Sequence, residues 1–174
     1  MSYYIRKISR AKWPEDVSGV EVKDVRADAI TGCMRTTSDE LSLWKVDKIG
    51  NPEEDVLPII TGFEKPNRCE IVYIDEQLFI DQGIEVVQEK GNTPLKELAD
   101  THYEAFVKNY DGLGKFAKVI LNSLKNDGNF VKISDRQVKN IIKRLVESGR
   151  ISSEQLNDTM QEKLGYVKVG DSRG

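Results

Sequence analysis

The chain has 174 residues, of which 39% are hydrophobic and 32% are charged, and its formal net charge at pH 7 is −3. This balance predicts a soluble folded protein and excludes a disordered one, and no apolar run approaches the roughly 20 residues of a membrane span. The N-terminus lacks the apolar core of a signal peptide, which favours the cytoplasm. Cys33 and Cys69 have no CxxC spacing and there is one histidine, so we expect free thiols and no metal site.

The net charge conceals a segregation of charge along the chain. Residues 1–13 carry four basic groups and no acidic group, residues 14–104 carry 9 basic and 21 acidic groups, and residues 112–150 carry 9 basic and 3 acidic groups. The net charges of −12 and +6 on the two longer segments predict an acidic body and a basic C-terminal segment. Either these surfaces face each other or water, or the basic segment faces an acidic partner.

The first half of the chain, residues 1–92, is predicted to be an α+β body with a small sheet of about four strands and flanking helices. Residues 71–74 are a nearly continuous apolar run, which is typical of a strand covered on both faces. The other predicted strands are 3–8, 41–46 and 84–87, and helices are predicted after Asp24, after Asn51 and over 75–82.

Residues 93–165 are predicted to form a helical subdomain packed on this body, followed by a frayed tail at 166–174. Leu95, Leu98, His102, Tyr103 and Phe106 have the spacing of a buried helical stripe. Residues 111–114 contain two glycines and predict a hinge or turn, and residues 126–129 predict a turn. Helices are predicted around 116–124, over 134–148 and over 152–164. The fold class is therefore α+β, with the sheet in the N-terminal part and a helical C-terminal part.

The helix at 134–148 has the strongest local signals. Ser134 and Gln137 have the spacing of a capping box, and Gly149 is placed to end the helix in the left-handed conformation. Apolar residues recur between them at the spacing of a single helical stripe. These residues are Val138, Ile141, Ile142, Leu145 and Val146.

The outer face of this helix is basic and predicts a contact surface for a macromolecular partner. The candidate contact residues are Arg136, Lys139, Lys143, Arg144 and Arg150. Residues 115–150 resemble a helix-turn-helix in outline, so nucleic acid is an alternative to a protein partner. The link over 126–133 is longer than the usual tight turn and no wing follows it, which weighs against nucleic acid. The simplest alternative is a packing helix with a solvated basic face.

Two other features suggest sites. The N-terminal arm, residues 3–13, interleaves aromatic and basic residues, as surfaces that stack on single-stranded nucleic acid do, although an edge strand protected by cations has the same pattern. His102 lies between Asp100 and Glu104, and as a general base it would need an orienting carboxylate. A helical face explains the same three residues.

No complete catalytic, cofactor-binding or metal-binding motif occurs, so the sequence assigns no residue to such a site and predicts no cofactor. The first hypothesis is a non-enzymatic cytoplasmic interaction or regulatory protein, with the profile of a bacterial accessory, antitoxin or immunity protein. The second is a nucleic-acid-binding regulator that uses 115–150. The third is an enzyme with an unrecognised site around Arg6 or His102.

Overall fold

Six strands form one sheet in the part of the chain that the computed structural model describes, which is residues 2–36 and 38–166. The strands are β1 (Tyr3–Lys7), β2 (Glu40–Val46), β3 (Cys69–Asp75), β4 (Val86–Gln88), β5 (His102–Phe106) and β6 (Phe130–Ile133). They lie in the order β4-β5-β2-β1-β3-β6, and every neighbouring pair is antiparallel. The N-terminal strand β1 is therefore inside the sheet and not at its edge.

Helices cover both faces of the sheet. Over the same described residues they are α1 (Ala27–Cys33), α2 (Pro52–Asp55), α3 (Leu57–Ile60), α4 (Glu76–Gln82), α5 (Tyr110–Leu124), α6 (Asp135–Glu147) and α7 (Asp158–Leu164). α1, α4 and α5 pack on the first face, whereas α3, α6 and α7 pack on the second. None of the described helices combines the length and the apolar character needed to cross a membrane.

The alternation of side chains along the strands supplies both cores. In β1, Tyr4 packs into the core of the first face and Ile5 into the core of the second. In β3 the whole segment from Ile71 to Ile74 is buried, as expected for a strand covered on both sides. The prediction for this strand is confirmed, although it lies second from the edge of the sheet.

The predicted helix at 134–148 is confirmed as α6. The Ser134 hydroxyl accepts from the Gln137 amide at 3.3 Å, and the Gln137 side chain accepts from the Ser134 amide at 2.9 Å, which completes the capping box. Gly149 has φ +71, the left-handed conformation that the sequence predicts for it.

Three predictions about the C-terminal half are wrong. The four strands predicted in residues 1–92 are present as β1 to β4, but the described sheet has six strands because 102–106 and 130–133, predicted as helical or turn segments, are also strands. Residues 111–114 are neither a hinge nor a turn, because α5 begins at Tyr110 with the Asn109 side chain as its cap. Residues 115–150 do not have a helix-turn-helix arrangement, because β6 separates α5 from α6 and the two helices pack on opposite faces.

The C-terminal half therefore adds β5 and β6 to the sheet, and the part of the chain after residue 92 is not wholly helical. The division into a body at 1–92 and a subdomain at 93–165 stays a prediction. The predicted frayed tail lies, after Tyr166, outside the described residues.

A buried hydrogen bond ties α2 to the sheet. The Tyr73 hydroxyl on β3 donates to the Asp55 carboxylate at 2.6 Å. Burial raises the pKa of Asp55 above its ordinary value, although the hydrogen bond from Tyr73 acts in the opposite direction. A carboxyl group whose pKa is raised by folding stabilises the fold below its unfolded pKa, and this stabilisation is lost as pH rises through the folded pKa.

We therefore expect Asp55→Asn to remove one pH-dependent contribution to stability. The free energy of unfolding of the wild type, minus that of Asp55→Asn, should fall as pH rises above about 4. Urea unfolding followed by circular dichroism at a series of pH values measures this difference. Tyr73→Phe removes the hydrogen bond that lowers the pKa of Asp55. In the Tyr73→Phe background, the difference in free energy of unfolding should therefore fall at a higher pH. A difference that rises with pH would contradict a raised pKa of Asp55 in the folded protein.

Candidate functional site

The sheet opens between β1 and β2, and Arg6 occupies the opening. β1 and β2 are paired only over the first three residues of β1, whereas β1 and β3 are paired over all five. Beyond the last β1–β2 pair, Arg6 Nη1 donates to the carbonyl oxygen of Ser42 on β2 at 2.7 Å. Arg6 Nη2 donates to the carbonyl oxygen of Cys33, at the end of α1, at 2.9 Å. One guanidinium group therefore links β1 to both β2 and α1.

One nitrogen of the Arg6 guanidinium has no hydrogen-bond partner in the described structure. Arg6 Nε has no contact with solvent and no hydrogen-bond partner in the described structure. The guanidinium lies 5.7 Å from the centre of the buried Phe116 ring, within the range of a cation–π attraction. Burial lowers the pKa of Arg6 to about 10, although the charges of Cys33 and Glu104 act in the opposite direction, so the side chain is charged at neutral pH.

His102 and Glu104 face this opening from β5. Glu104 Oε1 accepts a hydrogen bond from the Ser42 hydroxyl at 3.0 Å and lies 3.3 Å from His102 Nε2. His102 Nδ1 lies 3.1 Å from the carbonyl oxygen of Glu89. Because a carbonyl oxygen only accepts, Nδ1 carries a proton and the ring is held in one orientation. Glu104 Oε2 is buried without a hydrogen-bond partner in the described structure, so it is an unused acceptor.

These polar side chains line one cavity of about 670 Å³. This volume lies within the ~300–1,000 Å³ that is usual for small-molecule sites. The cavity also has an apolar wall, formed by Ile5, Trp44, Pro58 and Ile59. We call this cavity the β1–β2 cleft.

Gly91 permits the close packing of one side of the cleft. A Cβ atom at Gly91 would lie 2.5 Å from the Trp44 ring and 2.7 Å from His102 Cβ. Trp44 and His102 are themselves in edge-to-face contact, with ring centres 4.8 Å apart. The absence of a side chain at Gly91 therefore lets the backbone approach both rings.

A second cavity adjoins the cleft and is rich in cations. The two cavities share Lys7, Ile8 and Ser9. The second is lined by four basic side chains, which are Lys7, Arg68, Lys132 and Arg136, and by two acidic ones, which are Glu70 and Asp135. We call it the basic groove.

Both carboxylates of the basic groove already have partners. Glu70 accepts from the Arg10 amide at 2.9 Å and lies 3.8 Å from the Lys132 ammonium group. Asp135 accepts from the Arg68 amide. The acidic groups therefore offset only part of the positive charge of the groove.

The five predicted contact residues divide into two groups. Arg136 lines the basic groove, and Lys139 and Lys143 lie three and seven residues further along the outer stripe of α6. None of these three has an ion pair within residues 2–36 and 38–166. They extend the positive surface of the groove along the helix.

Arg144 and Arg150 instead bind the acidic body. Arg144 pairs with Glu53 at 2.6 Å, and Arg150 pairs with Glu54 at 2.8 Å and with Glu97 at 3.0 Å. The hydrogen bond to Glu54 is the main cause of the raised pKa of Arg150. The basic C-terminal segment and the acidic body therefore partly neutralise each other within the molecule.

Sequence reasoning missed most of the cleft. It named Arg6 and His102 as separate candidates, and the structure places both on one cavity. Ser42 and Trp44 were treated only as strand residues, and Glu104 was assigned to a helical face. The alternation of His102 and Glu104 with Tyr103 and Ala105 was the available signal, since it is the period of a strand.

Comparisons give no relative from which a role could be transferred. This chain matches no known family, no curated protein and no solved structure. Within the described residues, no three side chains of histidine, cysteine, aspartate or glutamate converge in a group that could hold a metal ion.

Proposed function

We propose that this protein is a non-enzymatic, cytoplasmic interaction protein that binds an acidic segment of a protein partner on the basic groove and the outer stripe of α6. One observation carries the proposal: Arg136, Lys139 and Lys143 have no ion pair in the described structure and continue the positive lining of the groove. A partner that supplies carboxylates would complete this surface. A regulatory or accessory role of the antitoxin or immunity kind fits such a mode of binding.

A protein partner is favoured over a nucleic acid by the surroundings of the groove. Residues 14–104 carry a net charge of −12, so a long polyanion would be repelled beyond the groove, whereas a short acidic segment would not. Two of the three aromatic residues of the N-terminal arm, Tyr4 and Trp13, are buried in the core and offer no stacking surface. The cations of the groove keep nucleic acid as the second candidate.

Binding is favoured over acyl-transfer catalysis by the order of the hydrogen bonds in the cleft. In a serine-based triad the hydroxyl group donates to the histidine, and the histidine donates to the carboxylate. Here the Ser42 hydroxyl donates directly to Glu104, so His102 does not stand between the hydroxyl group and the carboxylate. The geometry therefore supports recognition of a ligand better than attack by Ser42.

The test is a charge reversal, Arg136→Glu with Lys139→Glu and Lys143→Glu. We expect this triple variant to bind a short glutamate-rich peptide about tenfold or more weakly than the wild type, because three exposed ion pairs at about 0.2–1 kcal/mol each are replaced by repulsion. Fluorescence anisotropy at low and moderate salt measures the affinity. Capture from the native host followed by mass spectrometry should recover a protein with the wild type and not with the variant.

The matched control is Lys90→Glu with Lys108→Glu and Lys118→Glu, which changes the net charge by the same amount at exposed residues that line neither cavity. This control should keep the wild-type affinity. Equal weakening by both triple variants would mean that net charge alone acts, and the proposal would fail. Single-stranded and duplex oligonucleotides are titrated in parallel, and a preference for either over the peptide would establish the second candidate instead.

A further inference from the structure

We propose that the acidic segment of the partner binds as an added β-strand along the outer edge of β6, with its carboxylates on alternate residues. This inference rests on the proposed function, because it assigns a conformation and a side-chain pattern to the segment that the basic groove and α6 bind. Three features of β6 carry it: its place at the end of the sheet, the outward direction of two of its residues and the cations beside it.

β6 is one of the two open edges of the sheet. It is the last strand in the order β4-β5-β2-β1-β3-β6, and it pairs with β3 alone. Its other side therefore has no neighbouring strand among residues 2–36 and 38–166. An open edge is a template on which an extended segment adds a further strand through backbone hydrogen bonds.

The hydrogen bonds of β3 determine which residues of β6 face outwards. The Ile8 amide donates to the Glu70 carbonyl oxygen at 2.9 Å, so the backbone groups of Glu70 point towards β1. Directions alternate along an antiparallel strand, so the backbone groups of the next residue, Ile71, point towards β6. Ile71 lies opposite Val131. Val131 therefore directs its N–H and C=O groups inwards, to β3.

The two neighbours of Val131 direct their backbone groups to the open side. For Lys132, both the N–H and the C=O group are without a hydrogen-bond partner in the described part of the chain. The Phe130 amide donates to the Asp127 carbonyl oxygen, whereas the Phe130 C=O group has no partner there. One donor and two acceptors are thus available to an added strand, in the alternation that such a strand needs.

The side chains at this edge select an acidic segment. Lys132 belongs to β6 itself, and Arg68 and Arg136 line the same groove. A residue opposite Lys132 on an added strand has its side chain on the same face, where a carboxylate pairs with the half-exposed ammonium group. The adjacent residue of that strand faces the partly buried Val131, where a β-branched side chain packs well. Alternating acidic and β-branched residues are therefore the pattern that fits.

The other open edge, β4, does not favour such a segment. The Glu89 amide donates to the His102 carbonyl oxygen, so by the same alternation the backbone groups of Gln88 face outwards. Two exposed carboxylates, Glu85 and Glu89, flank this edge, and Lys90 offsets only one of them. An acidic strand would be repelled there, which makes β4 a control within the same molecule.

The test is an N-methyl scan of a short peptide in which glutamate and valine alternate, titrated against the full wild-type chain by calorimetry. Each peptide of the scan carries one N-methyl group, which removes one backbone donor and leaves the charge unchanged. We expect two sensitive positions, two residues apart, each weakening the binding about fivefold, as for the loss of one hydrogen bond. The position between them should show little change, because its N–H group points away from β6.

A pair of variants tests the same edge from the side of the protein. Lys132→Pro removes the outward N–H group of β6, and an edge strand tolerates proline where that group faces solvent. It should bind the peptide about fivefold more weakly than Lys132→Ala, which loses the same charge and keeps the N–H group. The matched control is Gln88→Pro, which removes an outward N–H group from β4 and should keep the wild-type affinity. Circular dichroism verifies that each variant is folded.

Two results would overturn the added strand and leave the proposed function intact. The first is a scan without alternation, with a peptide that the wild type binds and the triple variant of Arg136, Lys139 and Lys143 does not. The second is a loss of affinity in Gln88→Pro as large as that in Lys132→Pro. If the wild type bound neither this peptide nor a glutamate-rich one, the proposed function and the added strand would both fail.

Discussion

Phe116→Ala should lower the free energy of unfolding by about 3–5 kcal/mol, the usual cost of emptying a buried phenylalanine site. Phe116 on α5 is fully buried, and its ring packs against Phe79 of α4 with centres 5.7 Å apart. The same ring lies 5.7 Å below the Arg6 guanidinium. The substitution therefore opens a void in the core of the first face and removes the support of Arg6. Urea unfolding followed by circular dichroism measures the loss.

The matched control is Tyr110→Ala on the same helix. Tyr110 is 92% exposed, so its loss should change the free energy of unfolding by less than about 0.5 kcal/mol. Alanine has a higher helix propensity than either aromatic residue, so equal losses in the two variants would contradict core packing as the cause.

Local signals were sufficient to predict the helices whose ends are encoded by neighbouring residues. The capping box and the left-handed glycine of α6 act within a few residues of one another, and the structure has both. Gly165 ends α7 in the same way, but the predicted start of this helix at 152 is wrong, because the capping box of Ser152 and Gln155 precedes only a short 3-10 turn and α7 begins at Asp158. Such signals do not depend on the rest of the fold, so a single sequence carries them in full.

β5 was mistaken for a helix because its identity depends on distant residues. The segment before and within it contains helix-forming residues, and Leu95, Leu98 and Phe106 are spaced like a helical stripe. Pairing with β2 on one side and β4 on the other overrides this preference. The error mattered for function, because it hid the placement of His102 and Glu104 on the same side of a strand.

The sequence also could not predict which basic residues pair with the acidic body and which remain without an ion pair. Arg144 and Glu53 are 91 residues apart, and Arg150 and Glu54 are 96 apart, so no local pattern predicts that they pair. The stripe of Arg136, Lys139 and Lys143 was visible from helical spacing alone. The sequence therefore predicted the position of a basic surface, whereas the structure separates its unpaired part from its internally neutralised part.

Arg6 determines the shape of the cleft, and its removal should be nearly as costly as that of Phe116. In Arg6→Met, two hydrogen bonds from a charged donor are lost, those to the carbonyl oxygens of Ser42 and Cys33. At about 1.5 kcal/mol or more each, their loss should lower the free energy of unfolding by about 3 kcal/mol. Arg6→Lys keeps the charge, but a single ammonium group cannot reproduce the planar fork, so it should recover only part of this stability.

Arg35→Met is the control, because Arg35 is an exposed arginine on the same cavity with no hydrogen bond or ion pair in the described structure. It should change the free energy of unfolding by less than about 0.5 kcal/mol. Equal losses in Arg6→Met and Arg35→Met would show that Arg6 contributes only surface charge. A large loss confined to Arg6 would mean that one guanidinium group holds β1 to β2 and α1 through its two hydrogen bonds.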